Sequence, residues 1–287
     1  MAFSLQVMLF FVVLGTASIR GCFPSSTPGV GGGEVVMPDG EKMSEKDMDK
    51  TYLFAVEGNW FPYSSVDKYT GKAVGMMYEM IKDVCHMCDM KCDTVFLGDN
   101  AERCYDASDM SSRGLNDRHF DACVGWGRTI SRMNTLNFTR PFMTATMAAL
   151  YAHPDSGITT VADIFPASVG FRAAYYMDAL CARRNAFFGS DTLDPSSVVY
   201  VDGDWTTVLE KLTNREFDVA LLPEGRDGTD GLVKITDSFD CTHGGLAMMT
   251  RKDVDMSWWD KCFMDYAMSG MQEQLCMNYD TKRCILM

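Results

Sequence analysis

Between residues 168 and 222 the chain alternates strand-like and helix-like segments, and no other feature restricts its fold as much. Ser168-Val169-Gly170-Phe171 reads as a strand, and Arg172-Ala173-Ala174-Tyr175 starts a helix that runs towards Ala186. Residues 197–201 give the next strand, 205–212 a helix and 217–222 a further strand. That order argues for α/β layers, in which ligand sites collect at the carboxyl ends of the strands.

The first half of the chain holds similar material. Residues 52–56 are a short apolar strand, followed by Glu57-Gly58-Asn59, the aromatic cluster Trp60-Phe61-Pro62-Tyr63 and a turn over 67–72. Gly75 opens a helix whose Met76, Met77, Met80, Ile81 and Val84 recur at helical spacing. A polar interval, 98–118, then leads to residues 120–143, the stretch that most resembles a binding site. Phe120, Ala122, Cys123 and Val124 flank Asp121 as an apolar strand, and Gly125 and Gly127 free the backbone to approach something closely. Arg132 follows the hydroxyls of Thr129 and Ser131. A planar guanidinium fork beside hydroxyl groups is the chemistry that holds a carboxylate. On that chemistry alone the plainer reading is a solvated arginine on a turn, because exposed arginines are common.

A chain of 287 residues with 47 % hydrophobic content has ample material for a core. Its formal net charge of -13 argues against nucleic-acid backbones and anionic membrane surfaces as partners, since both repel a field of that sign. A cationic or zwitterionic solute is not repelled. The 23 methionines are dispersed and several fall on apolar helix faces, which reads as core packing rather than copper binding.

Residues 1–18 combine an apolar run with a small-residue exit and read as a secretory signal peptide too short to span a bilayer. After its removal no transmembrane span is expected. Residues 19–50, rich in Gly, Pro, Ser and charge, read as a flexible linker. Eleven cysteines behind a signal peptide imply an oxidising compartment and several disulfides, with Cys22 the odd one in the linker. Cys85-His86-Met87-Cys88 has metal-site spacing but lacks a second pair at zinc-finger distance. The terminal Cys284-Ile285-Leu286-Met287 matches a prenylation pattern, which conflicts with secretion; the disulfide reading is preferred. Asn137-Phe138-Thr139 is a glycosylation sequon expected to be poorly used because it enters a packed strand.

Taken together, Asp121-Ala122, Thr129-Ile130-Ser131, Arg132 and residues 137–142, Asn-Phe-Thr-Arg-Pro-Phe, resemble the signature of the type II periplasmic solute-binding proteins. The likeness is to the polar amino-acid-binding branch, solute-binding family 3, whose fold is shared with the ligand-binding domains of ionotropic glutamate receptors. It extends over nearly all of the chain after the linker. Trp60-Phe61-Pro62-Tyr63 and the Gly75 helix match the N-terminal layout, and Val169-Gly170 and the segment 208–220 match the second half. The resemblance implies an α/β protein of two lobes, each a mixed sheet flanked by helices, joined by two crossover strands. Residues 51–145 give the first part of lobe 1, 146–240 lobe 2, and 241–287 the return to lobe 1. No insertion of pore-forming length or hydrophobicity is present, so a channel is not implied.

The same resemblance implies the site. Arg132 falls on the carboxylate-binding arginine when counted back from Pro141, while counting forward from Thr129 leaves Arg128 as a second candidate. Glu57, Trp60, Gly125, Trp126 and Thr129 fall on ligand-lining positions of lobe 1, and Arg172, Ala173, Ala174 and Tyr175 on those of lobe 2, where a helix start binds an anion through its N–H groups. The aspartate that meets the ligand's ammonium is replaced by Pro223, with Glu224 beside it. Cys85 and Cys92 match a disulfide known in the family. The implied function is a secreted or periplasmic binding protein for a small polar, carboxylate-bearing solute. Its partners are that small molecule and a membrane receptor or transporter; no cofactor, metal, nucleic acid or catalysis is implied. The alternatives are an enzyme on the same fold, of dehydratase or lyase type with Glu57 or Glu224 as acid, and a ligand-independent signalling module.

Overall fold

β1 (Tyr52–Val56) is the strand around which the first sheet forms. Phe54, Ala55 and Val56 are fully buried, so the run is apolar throughout rather than alternating, as suits a strand covered on both faces. The structure, a computed structural model, describes residues 50–98, 101–106, 109–173, 175–185 and 193–285. The expected signal peptide, most of the linker, Cys22 and Ala174 lie outside these.

β2 (Asn59–Trp60), β3 (Ser64–Val66) and β4 (Ala73–Val74) make a small antiparallel sheet ahead of α1 (Met76–Met87). Gly75, at the start of α1, has φ 121°, and a Cβ there would lie 2.7 Å from the Tyr63 carbonyl oxygen, so the start needs glycine. α1 buries Met76, Met77, Met80, Ile81, Val84 and Cys85 along one face. β5 (Cys92–Phe96), α2 (Arg113–Asn116), β6 (Ala122–Gly127), α3 (Ile130–Thr135) and β7 (Leu136–Phe138) follow.

The chain then builds a second sheet. Its elements are β8 (Ala148–Ala152), β9 (Val169–Arg172), α4 (Ala179–Asn185), β10 (Val198–Val201), α5 (Trp205–Thr213), β11 (Val219–Pro223) and β12 (Val233–Lys234). The strands lie in the order β10-β9-β11-β8-β12, with β9 parallel to both neighbours and β8 antiparallel to both of its own. Phe171, Val208, Leu212, Phe217 and Leu221 fill its core. α5 starts where the Asp204 carboxylate accepts the Thr207 N–H at 3.0 Å, a side-chain N-cap.

β13 (Leu246–Arg251) brings the chain back, and α6 (Ser257–Met268) and α7 (Met271–Asn278) close it. The first sheet is thereby completed in the order β5-β1-β6-β13-β7. α6 covers β1, with Tyr52 5.0 Å from Trp258 and Phe54 5.4 Å from Trp259 between ring centroids. The two sheets, each flanked by helices, make a two-lobed α/β fold, crossed by the chain between β7 and β8 and again between β12 and β13.

Several expectations need correction. The helix read from Arg172 starts at Ala179, because β9 continues through Arg172, which pairs with Val201 in β10. The Asp178 carboxylate then accepts the Cys181 N–H at 2.8 Å and caps α4. β8 begins at Ala148, and Val161–Asp163 form a 3-10 turn locked by Asp163 accepting the Thr160 N–H at 2.9 Å. Asn137 is exposed on β7, an edge strand, so pairing with β13 does not cover the sequon asparagine.

The ten described cysteines form five disulfides: Cys85–Cys92, Cys88–Cys262, Cys104–Cys123, Cys181–Cys241 and Cys276–Cys284. Cys88 thus reaches α6, and Cys284 has no thiol to carry a lipid. Among the described residues no group of His, Cys, Asp and Glu is arranged to hold a metal ion, and no helix is long and apolar enough to cross a membrane.

Candidate functional site

The end of β6 is the floor of the site. Gly125 has φ 84°, and a Cβ there would lie 3.1 Å from Trp60 Cζ3 and 2.8 Å from Met77 Cε, so the glycine lets the indole approach the strand. Two residues on, a Cβ at Gly127 would lie 3.7 Å from a Tyr176 ring carbon. An aromatic ring thus rests at each glycine, Trp60 from one lobe and Tyr176 from the other.

Thr129 caps α3, its hydroxyl accepting the Arg132 N–H at 3.4 Å. The one-turn offset of cap and N3 residue carries the Arg132 side chain back over the floor, where Nη1 donates to the Gly127 carbonyl at 2.9 Å. The guanidinium lies over Trp126 at 4.7 Å and Tyr105 at 5.0 Å from the ring centroids. Arg132 is 5 % exposed, and no carboxylate stands at ion-pair distance among the described residues. Burial lowers its pKa to about 10, so it is still cationic at neutral pH. A desolvated cation with no partner at ion-pair distance is prepared for an anionic ligand.

Around this cation stand groups from both lobes. Glu57, half-buried just after β1, has its carboxyl raised by burial, against the pull of Arg172 and Arg132. Arg172, at the end of β9, donates from Nε to the Gly203 carbonyl at 2.9 Å and lies over Tyr175 and Trp205 at 4.8 and 5.5 Å. Tyr175 and Tyr176 are in ring contact at 4.5 Å, and burial raises both phenols. Asp178 is likewise raised by burial, opposed by its bonds to backbone N–H groups and by Arg132. A depression lined by Thr129, Ser131, Tyr176, Asp178 and Arg184 opens beside them.

The sequence-derived residues fall into three groups. Glu57, Trp126, Thr129, Arg132, Arg172 and Tyr175 come together, with Trp60 and Gly125 beside them. Of the two candidate arginines, Arg132 faces Glu57, whereas Arg128 lies within electrostatic reach of Asp260 in α6 and keeps a buried Nε without a hydrogen-bond partner. Ala173 and Glu224 are committed elsewhere. The Ala173 N–H donates to the Val201 carbonyl at 2.8 Å, and with the helix start moved to Ala179 the expected backbone anion site at 173 is not formed. Glu224 accepts from Lys234 at 2.8 Å, which holds its carboxyl low, and it is exposed just after β11.

Tyr105, Tyr176 and Asp178 were not legible as site residues. Tyr105 sits in the polar interval and reaches the floor because its neighbour Cys104 is bonded to Cys123 in β6. The Asp178 cap, a carboxylate three residues ahead of Cys181, is the one signal that could have been read.

No protein-family model matches the sequence, and none of the curated proteins compared with it matches. Solved structures do. An arginine-specific periplasmic binding protein of Salmonella typhimurium is similar at 16 % identity, over 81 % of this chain and 100 % of that one, with a TM-score of 0.53. A His/Glu/Gln/Arg/opine-family binding protein of Silicibacter pomeroyi, solved with lysine, is similar at 15 % over 82 % and 100 %, with 0.56. A histidine kinase sensor domain with similarity to periplasmic binding proteins gives 17 % over 81 % and 97 %, with 0.57. At these identities the likeness is one of fold. With its two mixed sheets and double crossing, the chain has the two-lobed fold of the type II periplasmic binding proteins.

Proposed function

We propose that this protein is a secreted binding protein for a small polar solute that carries a carboxylate, an amino acid or a related compound. The solute lies between a lobe of residues 51–145 and 241–287 and a lobe of 146–240. One observation carries the reading: Arg132 is buried, cationic and without a carboxylate partner among the described residues. A bound carboxylate supplies that counter-charge in a bidentate fork. Trp60, Trp126 and Tyr175 offer ring surface, Thr129 a hydroxyl and Glu57 a carboxyl towards the remainder of the solute. Contacts drawn from both lobes favour a closed, liganded state over an open one. The periplasmic proteins and the sensor domain that share the fold support export and a membrane receptor or transporter as partner.

Thermal-shift screening and calorimetry against amino acids and simple carboxylates test the proposal. At least one carboxylate is expected to raise the melting temperature and to titrate with a stoichiometry of one, and Arg132→Gln to abolish both effects. Absence of any carboxylate binding by the parent refutes it. Glu57, with its raised pKa, is the residue to watch for catalysis. Recovery of the bound solute intact after prolonged incubation is the expected result, and its consumption moves the assignment to an enzyme.

A further inference from the structure

Arg283 is a cation that the proposed site does not use. It lies beyond α7 on the C-terminal tail, which the Cys276–Cys284 disulfide folds back. The tail is tied down on both sides of it: the Thr144 N–H donates to the Arg283 carbonyl at 2.6 Å, and the Ile285 N–H to the Phe142 carbonyl at 3.1 Å. The side chain is fixed as well, with Nε and Nη2 both donating to the Thr144 carbonyl, at 3.1 and 2.8 Å. Its guanidinium lies over Tyr63 at 5.3 Å and over Trp60 at 5.9 Å. Trp60 is the ring that meets the floor at Gly125, and the Tyr176 phenol is within electrostatic reach of both Arg283 and Arg132. Among the described residues no carboxylate pairs with Arg283, and its Nη1 has no hydrogen-bond partner.

We propose that Arg283 is a second anion-binding position of this cleft, so that the solute carries two anionic groups, one on Arg132 and one on Arg283. The assignment rests on the reading of the cleft as a carboxylate site. The two cations bracket the glycine floor, Arg132 at Gly127 and Arg283 through Trp60 at Gly125. A third cation, Arg172, is a weaker choice, because Glu57, which acts on both arginines, acts more strongly on Arg172 than on Arg132. A zwitterionic solute would instead need an unengaged carboxylate for its ammonium. Glu224 is taken by Lys234, Asp178 by the Cys181 N–H, and Glu57 stands between two arginines. The aromatic faces beneath Arg283 keep water from one side of it and strengthen its attraction for an anion. The cleft is therefore locally cationic within a chain of net charge -13.

The test compares dianions with their singly charged amides of matched shape, succinate with succinamate and glutarate with glutaramate, each titrated calorimetrically at pH 7. In the parent the dianion of at least one pair is expected to bind about tenfold or more tighter than its amide, the scale of one charge-assisted bidentate contact. Arg283→Gln is expected to bring that ratio to within about twofold. The double variant Cys276→Ser/Cys284→Ser, which frees the tail without touching the guanidinium, is expected to do the same. Circular dichroism and melting temperature verify that both variants fold. Equal affinity for dianion and amide in the parent, or an unchanged ratio in a folded Arg283→Gln, overturns the second-anion assignment and leaves the carboxylate site standing. Binding of neither member of any pair, while another carboxylate binds the parent, overturns the second-anion assignment alone; binding of no carboxylate at all overturns both.

Discussion

Replacing Arg132 by methionine should remove solute binding and leave the unliganded protein as stable as before, or more so. Burial pulls the guanidinium pKa down to about 10, well below its ordinary value. At about 1.4 kcal/mol per unit, holding the charge in this site costs about 3 kcal/mol relative to water. Methionine abolishes that cost while its flexible thioether keeps apolar contact with Tyr105 and Trp126. Against this stands the loss of one charge-assisted hydrogen bond to the Gly127 carbonyl, about 1.5–3 kcal/mol, with some lost attraction to the two rings. Arg132 has no ion-pair partner among the described residues, so its removal breaks no direct ion pair, and Glu57 and Asp178 lose only its longer-range attraction. The balance lies between zero and about 2 kcal/mol of stabilisation, or up to roughly 6 °C in melting temperature for a domain of this size. Scanning calorimetry in solute-free buffer, paired with titration of a carboxylate that binds the parent, reads both quantities. A fall of more than about 5 °C in the unliganded variant would show that the guanidinium is a structural strut, and its link to function would then be unsupported.

Three further outcomes follow from particular contacts. The Glu57 carboxyl is raised by burial above its ordinary 4.5, so the native state holds its proton longer than the unfolded chain. Stability therefore declines as pH rises from about 4.5 through the native value and then levels off; melting curves of Glu57→Gln should lack that decline, and a parent-to-variant difference independent of pH between 4 and 8 would contradict it. At Gly170 a Cβ would sit 2.5 Å from the Phe217 ring, so Gly170→Ala should cost about 1–3 kcal/mol in denaturant unfolding; a neutral substitution would mean that Phe217 has room to move. Removing Cys88–Cys262 by paired serine substitution should lower stability by about 4–5 kcal/mol, since the bond closes a loop of 174 residues that Cys104–Cys123 and Cys181–Cys241 shorten. A loss under 1 kcal/mol would place its effect in folding rather than in stability.

Strands buried on both faces and helices with one apolar face were legible, because burial alone dictates their composition. β1 and α1 are the examples, and α5 was found to within one residue at its end. What could not be read depends on pairing across the chain. The segment Arg172-Ala173-Ala174-Tyr175 has helical composition, yet the ladder with β10 holds Arg172 and the Asp178 cap sets the helix start further on. The floor glycines and Arg132 were legible as local chemistry, since Thr129, Arg132 and Gly127 are close in sequence. Tyr105, Tyr176 and Arg283 were not, because each arrives through a long-range tie: a disulfide, the second lobe, or the tail bound to Thr144. Glu224 shows the converse, a residue in a suggestive position whose charge is consumed by a neighbour ten residues on.

The place of β13 between β6 and β7 also sets a schedule for the nascent chain. The second sheet draws on residues 148–234 alone and can close as soon as they emerge, whereas the sheet beneath Arg132 waits for residues 246–251. Cys88 must keep its thiol through that interval, next to Cys85 and Cys92, until Cys262 is synthesised. The binding floor and the Cys88–Cys262 bond are thus late products of synthesis, and a chain released before its final forty residues has one finished lobe, one open sheet edge and a thiol ready to pair wrongly.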